Sequence, residues 1–216
     1  MPHWDIHYLN ACGQLEGLID SIEKSIQQAR SKAESLTDPI DLDIVVQVWP
    51  GRVIEQMGFT GYAPTGTMMQ LTFDPENKNL KPNLGEPVER LVAHELHHVL
   101  RWRRPGYGRT LGEALVSEGL AGHFCRELYN SEPELWEVAV SSQQLNNYIE
   151  MVDTKWSATD YNHFEWFLGW GNLPRWLGYS MGYALVGAAL KSFAGETASS
   201  LVDEPADCFR RFLKEL

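Results

Sequence analysis

Residues 91–100, LVAHELHHVL, place three histidines and a glutamate within five positions, between aliphatic flanks. A buried polar group needs a partner, and several gathered together need a strong one. His94, Glu95 and His98 form H-E-x-x-H. On a helix, four residues advance the chain by about 6 Å and nearly a full turn. Both imidazoles then project from one face and can meet on one cation. Nitrogen and oxygen ligands in a tetrahedral set suit zinc. Glu95 stands beside the pair, placed to act on water and not to ligate. Leu91, His94, Glu95 and His98 share one face, and Val92, Leu96 and Val99 share the other. The pattern therefore predicts a helix buried on both sides, as one beneath an active cleft would be. His97 lies one residue off the ligand face and reads as a packed or surface histidine.

A catalytic zinc takes a third protein ligand and keeps one position open. Residues 110–124, TLGEALVSEGLAGHF, offer Glu113 and Glu118. Glu118 belongs to the stripe Leu111, Leu115, Glu118, Gly122, where a carboxylate is costly unless paired or metal-bound. Glu113 falls elsewhere on the wheel, as a capping residue or a support behind the ligands. Gly119 and Gly122 would let this helix approach the histidine helix closely. His123 is expected behind the ligands or at the surface.

The chain has 216 residues and a formal net charge of −11. That length suits one domain, 1–216, with lobes of about 1–109 and 110–216. The charge argues against nucleic acid as a partner, since phosphate binding needs a concentrated basic face. RWRR (101–104) is the one basic cluster, expected as a solvated run at a helix C-terminus. No apolar run is long enough to span a membrane. MPHWDIHYLN has neither the basic start nor the apolar core of a secretory signal, so the cytoplasm is the default location. Three widely spaced cysteines suggest thiols, not a disulfide framework.

Periodicity predicts a helix over 13–35, a strand over 40–50, a loop over 51–66 and a strand over 67–75. Helices follow over 87–102 and 110–129, another opened by a Ser131/Glu134 capping box, one in the GYSMGYALV region, and a short one at the end. The order is α+β: a small N-terminal sheet with helices, then a mainly helical lobe.

H-E-x-x-H, nineteen residues, then Glu resembles the gluzincin metallopeptidases, the thermolysin-like arrangement. More narrowly, AHELHHVLR with TLGEALVSEGLAGHF, GYSMGYALV and VDEPADCF is similar to a family of predicted bacterial zinc-dependent proteases, long known only as a domain of unknown function. The likeness runs from about residue 40 to the end. It implies a zincin-like fold and one zinc ion held by His94, His98 and Glu118. It also implies peptide-bond hydrolysis through a metal-activated water, with Glu95 as general base. Peptides or proteins would be the substrates. The strand at 67–73 would be an edge strand along which an extended peptide pairs.

Tyr179 and Tyr183, four apart on one helix face, fall within the resemblance. A tyrosine hydroxyl there can stabilise an oxyanion. His163 in DYNHFEWF is either such a donor or an aromatic-packed histidine, and the tryptophan-rich 156–176 reads as core and cleft wall. One position departs from the thermolysin-like pattern. Gly122 stands where an aspartate often orients the first histidine, leaving that task to another group, Glu113 among them, or undone. That departure supports the alternative of a non-catalytic, metal-stabilised binding or regulatory protein that retains the fold. A metal vertex closed by His97 or His123 would favour it.

Overall fold

Four short strands pair into one mixed sheet in the first of two units into which the described residues, 2–216, divide in this computed structural model. The division falls between Val99 and Leu100. Strand β1 (Trp4–Leu9) leads to helix α1 (Ile19–Ala33), then β2 (Leu42–Val48), β3 (Phe59–Thr65) and β4 (Met68–Phe73). The sheet order is β1-β2-β4-β3. β1, β2 and β4 are parallel neighbours, and β3 runs antiparallel to β4. Parallel strands need a long crossover, and α1 provides it between β1 and β2. Leu42, Ile44 and Val46 are buried at period two, with Ile44 opposite Met69 and Val46 opposite Leu71.

Three expectations change here. Helix α1 starts at Ile19 and not near residue 13, because Gly13 and Gly17 hold φ of 71° and 78°. That left-handed backbone suits turns and does not continue a helix. The strand expected at the edge, 67–73, is interior, flanked by β2 and β4's antiparallel partner β3. The edge is β3 itself, inside the stretch expected to be loop. FTGYAPT carries a glycine and a proline, which disguise it as loop. An edge strand tolerates Pro64 because one side of it makes no ladder. β1 was likewise not legible as a strand.

Helix α2 (Leu80–Asn83) is a single turn before α3 (Glu86–Trp102). Pro87 falls in the first turn of α3, where its missing N–H costs nothing. Val88, Val92, Ala93, Leu96 and Val99 of α3 are buried.

The second unit is helical: α4 (Leu111–Tyr129), the short α5 (Ser142–Leu145) and α6 (Ile149–Lys155), α7 (Leu177–Ser192) and α8 (Asp207–Arg210). Helices α4 and α7 cross backbone to backbone. A Cβ built on Gly119 would meet the carbonyl of Gly182, and one on Gly182 would meet the carbonyl of Leu115, both well under the 3.0 Å that real Cβ contacts respect. The small residues Gly119 of α4 and Gly182 of α7 thus let these two helices approach closely. No capping box forms at Ser131. The carboxylate of Glu137 takes the Glu134 N–H (2.7 Å), closing that segment as a turn, and the capping box appears at Ser141 and Gln144 instead. Arg101 also departs from the solvated reading of RWRR. It is fully buried, its Nε donating to Ser117 Oγ (3.0 Å) and its Nη1 to the carbonyls of Val202 (2.9 Å) and Glu204 (3.2 Å). Burial pulls its guanidinium down to about 10, against the opposing charges of Glu113 and Asp203. Arg104 pairs with Asp203 at 2.6 Å. Among the described residues, no helix is long and apolar enough to cross a membrane.

Candidate metal centre

On α3 the four-residue spacing does what helix geometry requires. His94 and His98 bring their Nε2 atoms to 3.0 Å, with ring centroids 4.6 Å apart at 89°. Two lone-pair-bearing nitrogens so close either share a proton or face a common cation. Glu95, one residue on, is 5 % exposed. A Cβ on Gly61 of β3 would stand 2.5 Å from both Cγ and Oε1 of Glu95. The edge strand therefore passes directly against this carboxylate, and glycine is what lets it. His97 is fully buried.

On α4, Thr110 and Glu113 form the N-terminal capping box. The Glu113 carboxylate accepts the N–H of Arg109 (2.7 Å) and of Thr110 (3.0 Å), and Thr110 Oγ1 accepts the Glu113 N–H (3.2 Å). Glu113 is thereby occupied as a cap. Glu118, five residues further on, is 4 % exposed among Leu111, Leu115 and Gly122. Tyr107 donates its hydroxyl to Glu118 Oε1. The same tyrosine is fixed at its backbone, where Ser117 Oγ donates to its carbonyl, and its ring stacks on Trp102 at 5.7 Å. Three contacts aim one phenol at one buried carboxylate.

Other groups respond to that charge. Burial first, then the charges of Glu118 and Glu113, push Tyr161 up to about 12. Burial holds His163 below its usual range, with Glu118 opposing. Tyr161 Oη lies 3.4 Å from His163 Nδ1, and His163 stacks on Phe167 at 4.4 Å and 18°. Tyr179 meets the same Phe167 edge-on at 5.1 Å. Tyr183 lies apart from that cluster. Its ring stacks on His123 at 4.1 Å and 7°, the Arg126 guanidinium lies beside its hydroxyl, and its carbonyl accepts from His123 Nε2 at 2.9 Å. Burial pulls His123 down to about 4. Trp156 and Trp166 are buried and Trp170 is exposed, so the tryptophan stretch supplies both core and surface.

One ligand atom each from His94, His98 and Glu118 lies within 4.8 Å of the other two. Two imidazole nitrogens and a carboxylate oxygen are the donor set that a zinc ion accepts. Tyr107 went unread in the sequence and Tyr161 was read only as part of the aromatic stretch, because contacts made through tertiary placement leave no spacing signal.

The architecture and donor set define a class: an α+β protein with a small mixed sheet and a candidate His-His-Glu metal centre. The chain belongs to the family described as "Predicted Zn-dependent protease (DUF2268)", which matches residues 18–210. A curated relative, "Uncharacterized protein YjfC" of Bacillus subtilis (strain 168), is 23 % identical over 158 residues, covering 68 % of this chain. The chain spans about half the length of that relative, 51 %. No solved structure matches.

Proposed function

We propose that this protein is a zinc-dependent metallopeptidase of the gluzincin type, built as a single zincin-like domain. His94, His98 and Glu118 would hold the ion. The observation that carries the reading is the approach of these three donors on well-buried helices, with Glu95 directly beside the pair. Zinc, when bound, lowers the pKa of water to about 7 and polarises a carbonyl. Glu95 takes the proton of the attacking water and returns it to the leaving amine. Its burial under Gly61 excludes bulk water and favours proton transfer over solvation.

Strand β3, the edge beside Glu95, is the surface on which an extended peptide would pair. Tyr179 shares Phe167 with His163, and these two, with Tyr161, are better placed than Tyr183 to donate to an oxyanion. His97 and His123 stand outside the donor group, which supports an open vertex over a closed structural site. Replacing Glu95 by Gln is expected to leave one zinc per chain and to slow cleavage of a peptide library by ~10²–10⁴-fold. A variant as active as the parent sinks the reading.

A further inference from the structure

We propose that Arg101 is a positioning residue for Glu118, acting through Ser117 and Tyr107. The inference rests on the metal-site reading above. Arg101 stands next to the last residue of α3, and Ser117 immediately precedes Glu118 on α4. The Arg101 guanidinium donates from Nε to Ser117 Oγ at 3.0 Å. Arginine has no acceptor, so this contact takes a lone pair of the hydroxyl and leaves its proton to point elsewhere. Ser117 Oγ gives that proton to the carbonyl of Tyr107. The hydroxyl of Tyr107 in turn donates to Glu118 Oε1. A buried cation thus stands at the root of a chain that ends on the candidate ligand.

Arg101 grips the same loop a second time, through its backbone. Its carbonyl accepts the N–H of Arg104 (3.1 Å) and of Gly106 (3.0 Å), and Gly106 holds a φ of 95°, which suits glycine. The loop is therefore fixed just before Tyr107 by the backbone of Arg101, and at the Tyr107 carbonyl by its side chain through Ser117. The guanidinium is itself anchored, with Nη1 donating to the carbonyls of Val202 (2.9 Å) and Glu204 (3.2 Å). Packing alone does not call for such a residue. Arg101 is fully buried, its acceptors are all uncharged, and Nη2 has no hydrogen-bond partner among the described residues. A buried cation held in that way costs more than an aliphatic side chain of like volume. What it adds is a polarised hydroxyl: the bond that Ser117 Oγ accepts strengthens the one that it donates to Tyr107.

The test is a double-mutant cycle on zinc affinity, measured by competition with a chromophoric chelator. Arg101→Gln breaks the chain at its root, Ser117→Ala in its middle and Tyr107→Phe at its end. Each single variant is expected to bind zinc ~3–10-fold more weakly than the parent, the worth of one hydrogen bond. In the Tyr107→Phe background, Arg101→Gln and Ser117→Ala should each cost less than about twofold more, because the link they serve is already gone. A merely structural Arg101 would weaken binding by the same factor in both backgrounds, so equal losses overturn the proposal. Parental affinity in Ser117→Ala overturns it as well. Where Arg101→Gln unfolds, Ser117→Ala carries the cycle. Glu118→Ala and His98→Ala separate the two readings. If they lose zinc while Ser117→Ala does not, the role of Arg101 alone fails; if they too keep parental affinity, the metal centre itself is misassigned.

Discussion

Helix α3 gathers its polar groups into one turn, whereas α4 buries one carboxylate among aliphatic residues and glycines. On α3 the helical repeat alone brings His94 and His98 together, so backbone geometry does the assembly. On α4 the helical repeat surrounds Glu118 with Leu111, Leu115 and Gly122. Tyr107 reaches it from the loop before the helix, and Ser117 and Trp102 hold Tyr107 in place. The contrast teaches that a candidate metal centre can be half encoded in spacing and half in tertiary support. The two halves should fail differently when altered.

The sharpest way to break the comparison is to remove a candidate ligand from each helix. His98→Ala and Glu118→Ala are both expected to lose zinc by more than the ~10–100-fold that loss of a supporting group costs. Metal analysis after dialysis against chelator reads this directly. If Glu118→Ala keeps its zinc while His98→Ala does not, α4 contributes packing and not coordination.

A second contrast lies between histidines. Those of α3 face a shared centre, but His123 of α4 is stacked on Tyr183 and held neutral by burial, its pKa near 4 against 6.5 when unfolded. A depressed folded pKa gives stability that is complete above pH 6.5 and is lost as pH falls through about 4. The loss amounts to about 3 kcal/mol at most. Denaturant melts between pH 7 and pH 4 should show a slope that His123→Gln removes. An unchanged slope in that variant assigns the acid sensitivity elsewhere.

How much of this was legible in the sequence follows the same division. The H-E-x-x-H turn, the burial of Glu118, the capping role of Glu113 and the aromatic packing of His163 all follow from helical period and from the cost of burying charge. Strand β3 was not legible, because glycine and proline argue for a loop unless one knows that the strand is an edge lying against Glu95. Arg101 was misread because its partners, two carbonyls near residues 202 and 204, are a hundred positions away. Glu137 was read into a helix opening at Ser131, whereas it lies in an irregular turn that its own carboxylate closes on the Glu134 N–H.

The remaining tests sharpen the comparison. Gly119→Ala places a methyl against the Gly182 carbonyl and is expected to cost about 1–3 kcal/mol, read as a lower denaturation midpoint. The equivalent small residue of α3, Ala93, is also fully buried, but Ala93→Gly removes atoms instead of adding them. Its cost should be nearer ~1 kcal/mol, from helix propensity. If Gly119→Ala is neutral, the close approach of α4 and α7 is not needed for stability.

Tyr107→Phe is the finest probe, because it deletes one hydroxyl and leaves the ring on Trp102. The lost hydrogen bond to Glu118 is worth about 1.5–3 kcal/mol in a charge-assisted pair, much of it offset by the carboxylate's freedom to find another donor. Zinc binding should therefore weaken by only a few-fold, and less than in His98→Ala or Glu118→Ala. The pH dependence is the more telling readout. Without the phenol, the Glu118 carboxylate loses a donor that favours its ionised form, so the pH below which zinc is released should move upward. A variant that releases zinc at the parent's pH means that Tyr107 packs against α4 without tuning the ligand, and α4 would then owe its competence to burial alone.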